Sequence, residues 1–420
     1  MPGPANIREL RYRNGTSLNQ AFTAANNGAW DPGTAYKLAV TAFDASGLEY
    51  QSQPSPILQQ HILAAPANVP TIKAGSVKFS TYLGGGSANT TANAEATLMS
   101  LILGGLASPV GSKTATLDNA GTHTAIKLYS TGFGAKVVAG QAVLVGTRGD
   151  GRGNGEVRRI TGEGTDYIDI SPALPAAPAD NDVCVISHTA YVDVTTTQQY
   201  IDLLAIGFES TDVLNMLGCM GSFGFSGLNV GGGEIPLIDY DLRVAHWREE
   251  SSGGTVDALT PGTAMVGSSP PVTLGQGAFI LSDAGSTTLK KYKIADLGIA
   301  PGITYEAVPD LNGINGIGAY GKVQGRATAN FSVLIDGSDA DILPGLYDDF
   351  SASTGKQLIA QFGHVAGKCC AIDMEAFYFD GSPKRAAVGA LAALAVTGHA
   401  DIGASSSTTL TLSPFRAHWF

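Results

Sequence analysis

The side chains that most often perform catalysis are present in this chain, but their spacing matches no catalytic or metal-binding pattern. Seven histidines are scattered without a His-x-x-x-His or His-Glu-x-x-His pair, which argues against a metal site. Five aspartates cluster late in the chain, and two of them would serve glycoside hydrolysis only if they converged across a cleft, which spacing does not show. These are Asp336, Asp339, Asp341, Asp348 and Asp349. We interpret residues 336–339 as a turn that leads into a helix cap.

Motifs for nucleotides and for activated nucleophiles are absent from the sequence. It contains no Gly-x-Ser-x-Gly elbow and no phosphate-binding loop that ends in Gly-Lys-Ser/Thr. One glycine-rich loop, residues 149–156, lacks the spacing of a dinucleotide or calcium loop, and we interpret it as an exposed hairpin tip. The Arg148-Gly149-Asp150 triplet beside it is weak evidence for receptor binding. The sequence therefore predicts a protein that is not an enzyme and has no catalytic, cofactor or metal site.

The cysteines and the apolar runs bear on where the protein is made. Four cysteines lie in apolar, strand-like contexts without Cys-x-x-Cys spacing, which predicts buried, reduced thiols in a protein made in the cytoplasm. These are Cys184, Cys219, Cys369 and Cys370. Residues 1–4 do not begin a secretory signal. The most apolar run, residues 385–395, is too short to span a bilayer, so no membrane segment is expected.

Composition favours a β protein with an unusually uncharged surface. Glycine contributes 54 of 420 residues, which favours short strands and tight turns over long helices. Charged residues make up only 15% against 44% hydrophobic, which suggests that partners cover much of the surface. A net charge of −11 argues against wrapping nucleic acid, because such binding needs cations that displace counterions from phosphate. An acidic or neutral channel would still let DNA slide without sticking, although the acidity is equally compatible with a role in solubility alone.

Two stretches of the chain end in nearly the same way. One opens on Gly218-Cys219, turns near residue 233 and returns as a longer segment. The other opens on Gly367-Lys368-Cys369, turns at residues 380–383 and returns as an apolar run. Their cysteines are 369 − 219 = 150 positions apart, and we infer a duplicated β-module. An Ala-His-Trp triplet occurs at 245–247 and again at 417–419, 172 positions later, and would need a further insertion to share that register.

These motifs resemble those of the major tail tube protein family of long-tailed (siphovirus-like) bacteriophages. The resemblance rests on a Gly-Cys strand, a Gly-Glu-x-Pro turn and a long strand that ends in an aromatic residue. The motif residues are Gly218, Cys219, Gly233, Glu234, Pro236, Trp247, Gly367 and Cys369. The stretch from 137 to 187 is similar to an insert seen in that family, and the resemblance covers about residues 70–420.

The resemblance implies a mainly β fold. It predicts two tail-tube-type β-sandwich modules, each with a flanking helix, plus an inserted small β-barrel. The expected parts are an N-terminal arm or β-element with its connector at 1–70, a first tube module at 71–250 with the insert at about 108–193, a linker at 251–274 and a second tube module at 275–420. Helices are expected within 91–103, from a polar cap and apolar residues on one helical face, and at 339–350.

The function implied by the resemblance is structural. Rings of this chain would stack into the phage tail tube, the channel for genome ejection, so the protein would belong to the virion tail after synthesis in the host cytoplasm. With two modules per chain, three chains would form a ring of approximate sixfold symmetry, which we prefer to a hexamer. Partners would be further copies, other tail proteins, and double-stranded DNA that passes through the lumen without sequence-specific binding.

Two further expectations concern the termini and the alternatives. Arg8, Arg11 and Arg13 stand out in an acidic chain, and we expect them to form an arm that contacts a neighbouring subunit. One alternative function is another tail component, such as a tail-tip or terminator protein. The other is a β-sandwich adhesin or carbohydrate-binding protein, which would expose clustered aromatic side chains.

Overall fold

The computed structural model describes most of the chain. The described residues are 7–15, 18, 30, 35–48, 51–54, 68–72, 75–86, 91–147, 155–193, 199–207, 212–229, 234–251, 268–274, 277–283, 289–314, 316–335, 342–352, 355–400 and 410–420. Over these residues the fold is mainly β, with two α-helices and several sheets, as predicted.

The elements fall into four groups along the chain. The first group is β1 (Ile7–Gly15), β2 (Tyr36–Leu38), β3 (Val40–Asp44), β4 (Gln51–Pro54), β5 (Asn68–Ile72), β6 (Gly75–Tyr82), α1 (Ala94–Leu103) and β7 (Gly104–Ala107). The second is β8 (Thr114–Thr116), β9 (Lys127–Tyr129), β10 (Ala142–Thr147), β11 (Glu156–Glu163), β12 (Tyr167–Ser171) and β13 (Val183–Ile186). The third is β14 (His188–Val192), β15 (Tyr200–Gly207), β16 (Asp212–Ser226) and β17 (Leu237–Ser251). The fourth is β18 (Ala278–Asp283), β19 (Lys291–Tyr292), β20 (Ile294–Ala300), β21 (Ile303–Ile314), β22 (Ile317–Gln324), β23 (Ala327–Leu334), α2 (Ile342–Ala352), β24 (Lys356–Phe362), β25 (Cys370–Phe379), β26 (Lys384–Val388), β27 (Leu391–Ala400) and β28 (Arg416–Trp419).

Two seven-stranded paths repeat one strand order. The first is β2-β1-β15-β16-β17-β6-β3, and the second is β19-β18-β24-β25-β27-β23-β20. Counterpart strands also follow one another in the same order along the chain, from β1 and β18 to β17 and β27. In both paths a two-stranded hairpin, β4–β5 or β21–β22, follows the third strand. This correspondence supports an internal duplication. We name residues 7–107 with 188–251 repeat A, and residues 278–400 with 416–419 repeat B.

Irregularities of pairing recur at matching places in the two repeats. The β15–β16 ladder shifts register between Ile201 and Leu203, and the β24–β25 ladder shifts between Lys356 and Leu358. Leu203 and Leu358, just past the shift, each pair with a methionine. A second register shift occurs in the β3–β6 ladder between Val40 and Ala42, and in the β20–β23 ladder between Ile294 and Leu297. Because bulges are specific features of a strand pair, these matches strengthen the case for duplication.

The same registers correct the 150-residue offset inferred from the cysteines. Ile201 pairs with Cys219 at the shift in repeat A, and Lys356 pairs with Phe377 at the shift in repeat B. The counterpart of Cys219 is therefore Phe377, whereas Cys369 precedes β25. The two cysteines are not equivalent, although the repeats that they suggested are present.

The Ala-His-Trp triplets are not equivalent either, because Trp247 pairs with Met216, whose counterpart is Met374, whereas Trp419 pairs with Cys370. β17 pairs with β16 along its whole length, but β25 pairs with β27 only through residues 377–379 and with β28 through residues 370–373. β28 therefore lies beside β25 where the end of β17 lies beside β16.

One apolar core runs through both repeats. It includes Phe79 and Tyr240, stacked at 4.8 Å between ring centres, and Phe331 and Phe377 at 6.0 Å. Burial of each such side chain contributes about 1.5–3 kcal/mol. A sheet also crosses between the repeats, because β7 pairs with β14, β14 with β28, and β28 with β25. Core and sheet together join the two repeats.

The insert has its own sheet and core. Its strand order is β8-β13-β10-β11-β12-β9, and its apolar cluster includes Phe133, Ile160 and Ile168. Over its described residues the end strands β8 and β9 form no ladder with each other, although the Ser130 hydroxyl donates to the Thr116 carbonyl at 2.8 Å. Just after β8 the Asp118 N–H also donates to the Tyr129 carbonyl of β9 at 3.2 Å, so the insert is an incompletely closed barrel.

The two helices lie near their expected positions. In α1 the Asn93 side chain accepts a hydrogen bond from the Ala96 N–H at 3.0 Å, and Gly104 ends the helix with a φ of 108°. α2 spans Ile342–Ala352, so it extends two residues beyond the predicted end at 350. The predicted start at 339 lies outside the described residues.

Candidate assembly surfaces

One side of the β6–β17 ladder in repeat A is polar and low in net charge. Its side chains are Ser76, Lys78, Ser80, Asp239, Asp241 and Arg243. They alternate with residues that point into the core, as expected for strands covered on one side. Lys78 pairs with Asp241 at 3.1 Å, and the Ser80 hydroxyl donates to Asp239 at 2.5 Å. Two acidic and two basic side chains leave this polar face formally neutral.

The same ladder positions in repeat B carry almost no charge. They hold Thr328, Asn330, Ser332, Ala395, Thr397 and His399. His399 hydrogen-bonds Asp380 through Nδ1. The polar faces of the two repeats therefore differ in sequence but share a hydrophilic, weakly charged character.

The repeats meet at a joint between sheet edges, which we call the internal joint. β15 pairs with β16 only between Val213 and Cys219, and β16 also contacts β20 and β21 of repeat B. Just beyond, Asn229 and Asp296 form an antiparallel bridge. β20, the edge strand of repeat B, thus adjoins β16, which extends past the ladder that it forms with β15.

The β21–β22 hairpin strengthens this joint by satisfying the end of α1. The Tyr305 hydroxyl donates to the Ile102 carbonyl at 2.7 Å, and Lys322 Nζ donates to the carbonyls of Leu103 and Asp193 at 2.8 Å each. The last carbonyls of a helix have no partner within it; the Leu103 carbonyl accepts from the Asp193 N–H at 3.0 Å as well as from the lysine. Burial lowers the pKa of Lys322 to about 8.

Beyond its base, the hairpin presents apolar side chains to solvent. Leu311 is fully exposed, and Val308 and Val323 are nearly half exposed. Exposed apolar groups gathered on one projecting element are typical of protein-contact surfaces.

β28 attaches to β25 through a buried ion pair. Arg416 Nε lies 2.9 Å from Asp373 Oδ2, both side chains are almost completely buried, and Arg416 Nη2 reaches Glu375 at 3.1 Å. Burial acts to raise the pKa of Asp373, but the Arg416 guanidinium holds it well below its usual range. The pair fixes the strand that links the repeats.

The insert leaves repeat A but packs on repeat B. Arg159 Nη2 lies 2.5 Å from Glu375, and the Val157 N–H donates to the Gln361 side chain at 3.0 Å. An apolar cluster across this contact includes Leu144 of the insert and Ile359 of β24. The insert therefore connects repeat A to repeat B through its own contacts with β24 and β25.

The predicted motif residues of the first stretch take structural positions. Gly218 has a φ of 61° at the β16 bulge, and its N–H donates to Asp202 at 3.1 Å. Cys219 and Trp247 are buried, and the Pro236 carbonyl accepts from the Leu83 N–H at 2.9 Å. Glu234 is exposed. Gly233 lies outside the described residues.

The second stretch has an equally structural role. Gly367 has a φ of 78°, and its N–H donates to the Phe420 carbonyl at 2.8 Å. Cys369 is buried, with its Sγ 3.5 Å from the Gly363 carbonyl. The two sets of motif residues stabilise turns and a bulge, and they do not form a common site.

The arginine arm is a correction. β1 lies inside the repeat A sheet, between β2 and β15, so repeat A includes residues that we had assigned to an arm. Arg11 donates to Glu9 at 2.5 Å and to the Trp30 carbonyl at 2.6 Å, and Arg13 pairs with buried Asp202 at 3.1 Å. A buried carboxylate needs a cation close by, which holds Arg13 within its own chain. The side chain of Arg8 lies outside the described residues.

Residues with possible chemical roles have structural partners. Asp349 accepts from Lys356 Nζ at 2.7 Å and from Lys290 Nζ at 3.2 Å, and Asp348 is exposed. The other three aspartates of that cluster and the Arg148-Gly149-Asp150 triplet lie outside the described residues. All four cysteines are buried free thiols. Within the described ranges no three His, Cys, Asp or Glu side chains are grouped as metal ligands.

No helix in the described part of the chain is both long and apolar enough to cross a membrane. No family model matches the sequence, and no curated protein matches it.

Proposed function

We propose that this chain is a structural virion protein that polymerises as stacked rings into a phage tail tube. The observation that supports this most is the pair of repeats with one strand order, whose sheet edges already adjoin at the internal joint. Adding further repeats in the same way would extend a twisted sheet until it closes as a barrel. Closure removes the exposed edges that would otherwise promote uncontrolled pairing.

The polar faces suit the wall of a DNA channel. A duplex passes freely when the wall offers hydrogen-bonding groups without a cluster of unpaired cations. The face of repeat A balances Lys78 and Arg243 with Asp239 and Asp241, and that of repeat B replaces all four with uncharged groups or histidine. We therefore propose that these faces line the lumen, which is neutral or acidic.

Two repeats per chain set the proposed ring size. Three chains supply six repeats, so a trimer gives approximate sixfold symmetry around the channel. The proposed partners remain further copies of this chain, other tail proteins and passing DNA.

The tryptophans weigh against a carbohydrate-binding role. Trp30, Trp247 and Trp419 are each at most 2% exposed, so none is available to stack on a sugar ring.

Electron microscopy of the purified full chain tests the proposal. Negative staining at increasing protein concentration should show hollow rings and then tubes, and light scattering of the smallest assembly should give the mass of three chains. A chain that stays monomeric over the whole concentration range would exclude a tube-forming role.

A further inference from the structure

The internal joint has two sides, and each side has a counterpart elsewhere in the chain. In repeat B, β20 supplies the edge strand, and its counterpart in repeat A is β3. In repeat A, the second half of β16 receives that edge. Its counterpart in repeat B is β26, because β26 pairs with β27 as the second half of β16 pairs with β17.

Both counterparts are open edges over the described residues. β3 pairs only with β6, and β26 pairs only with β27. Thr41, Ala42 and Asp44 are exposed on β3. Three side chains of β26 are also exposed, namely Lys384, Arg385 and Ala387. Such edges present unpaired backbone groups, which favour the addition of another strand.

The charges of the two edges are complementary. The internal joint is antiparallel, with Asn229 opposite Asp296. The matching positions are the turn after β26, near Gly389, and β3 near Ala42. In that register Ala387 faces Asp44, and Lys384 and Arg385 face residues 46–47 just beyond it, close enough for their long side chains to approach the carboxylate. Opposite charges at such an interface select partner and register.

We propose that β3 of one chain docks antiparallel to β26 of a neighbouring copy of the same chain and so repeats the internal joint between chains. The β4–β5 hairpin, which follows β3 as β21–β22 follows β20, then lies toward α2 of the neighbour. Each chain would thus contact the next one head to tail, and such contacts form a closed ring when the rotation from chain to chain adds up to a full turn. This inference rests on the proposed ring assembly and names the surface that forms it.

Cross-linking between engineered cysteines tests the joint. The variant carries Ala42→Cys and Ala387→Cys, two small exposed positions on the two edges. The four natural thiols are buried, so a short bis-maleimide reagent reacts selectively with the new ones. Denaturing electrophoresis of assembled protein should show covalent dimers and trimers, with trimer the largest closed product.

Matched controls separate this geometry from chance contact. Each single-cysteine variant should give no ladder, and neither should Ala387→Cys combined with Val110→Cys, whose site is exposed on the insert. As a second measurement, Lys384→Glu with Arg385→Glu should weaken assembly at least tenfold in critical concentration. Lys368→Glu, an exposed charge change elsewhere, should leave assembly unchanged.

The outcomes distinguish the joint from the function. If the natural chain forms rings but the double-cysteine variant gives no ladder, or the charge-reversed variant assembles normally, the joint is wrong and ring assembly stands. If cross-links form only within single chains, the joint is also wrong. If the natural chain never assembles, the proposed function fails and the joint fails with it.

Discussion

Loss of one carboxylate should detach the strand that links the two repeats. In Asp373→Asn the side chain keeps its shape but loses the charge that faces Arg416 at 2.9 Å. Both groups are at most 1% exposed, and removal of one partner of a buried pair typically costs about 3–5 kcal/mol. Arg416 would keep Glu375 and the Leu410 carbonyl as partners, so we expect the lower end, about 3 kcal/mol.

Urea denaturation measures this loss. Tryptophan fluorescence follows the unfolding, because Trp419 in β28 is buried, as are Trp30 and Trp247. A matched control is Asp241→Asn, because the Lys78–Asp241 pair is more than half exposed and should contribute at most about 0.5 kcal/mol. If the free energy of unfolding of Asp373→Asn lies within about 1 kcal/mol of that of the natural protein, the ion pair does not hold β28 as we argue.

Three further predictions concern buried groups. Burial raises the pKa of Glu95 to about 7, so the natural protein loses stability as the pH rises from about 4.5 through 7 and this carboxyl group ionises. In thermal denaturation, Glu95→Gln should therefore be more stable than the natural protein at pH 8 but not at pH 4. Lys322→Met removes one of two donors to the Leu103 carbonyl and a donor to the Asp193 carbonyl, and should lower the free energy of unfolding by about 1–2 kcal/mol in urea titrations. In Gly86→Ala the new methyl group would collide with the Phe420 backbone, and the melting temperature should fall, whereas Gly381→Ala, in open space, should leave it unchanged.

Local signals in the sequence predicted the local structure well. A polar cap and apolar residues on one helical face predicted a helix within 91–103, and the structure has α1 at Ala94–Leu103 with Asn93 as its cap. Alternation from Gly75 to Tyr82 marked β6. The repeated segments indicated the duplication, because each repeat carries its own strand and turn pattern. These features depend on residues close together in the chain.

Pairing between distant residues could not be predicted in the same way. Arginines usually lie at the surface, so the β1 arginines suggested an exposed arm. The partner of Arg13 is Asp202, 189 positions away, and nothing near either residue in the sequence reveals that pairing. The cysteine offset failed for a related reason, since the true counterpart of Cys219 is an aromatic residue of similar burial, Phe377.

Fusion of the repeats has a consequence for assembly. Within the chain, the insert, β28 and the base of the β21–β22 hairpin all hold repeat A against repeat B. In the proposed six-repeat ring, half of the joints would thereby form during folding, before any chains meet. Association must then order only the joints between chains, and a preorganised partner loses less conformational entropy on binding. The contacts of the insert, β28 and the hairpin thus hold the two repeats at one angle. In the proposed ring, the open edges of β3 and β26 would repeat that angle from chain to chain.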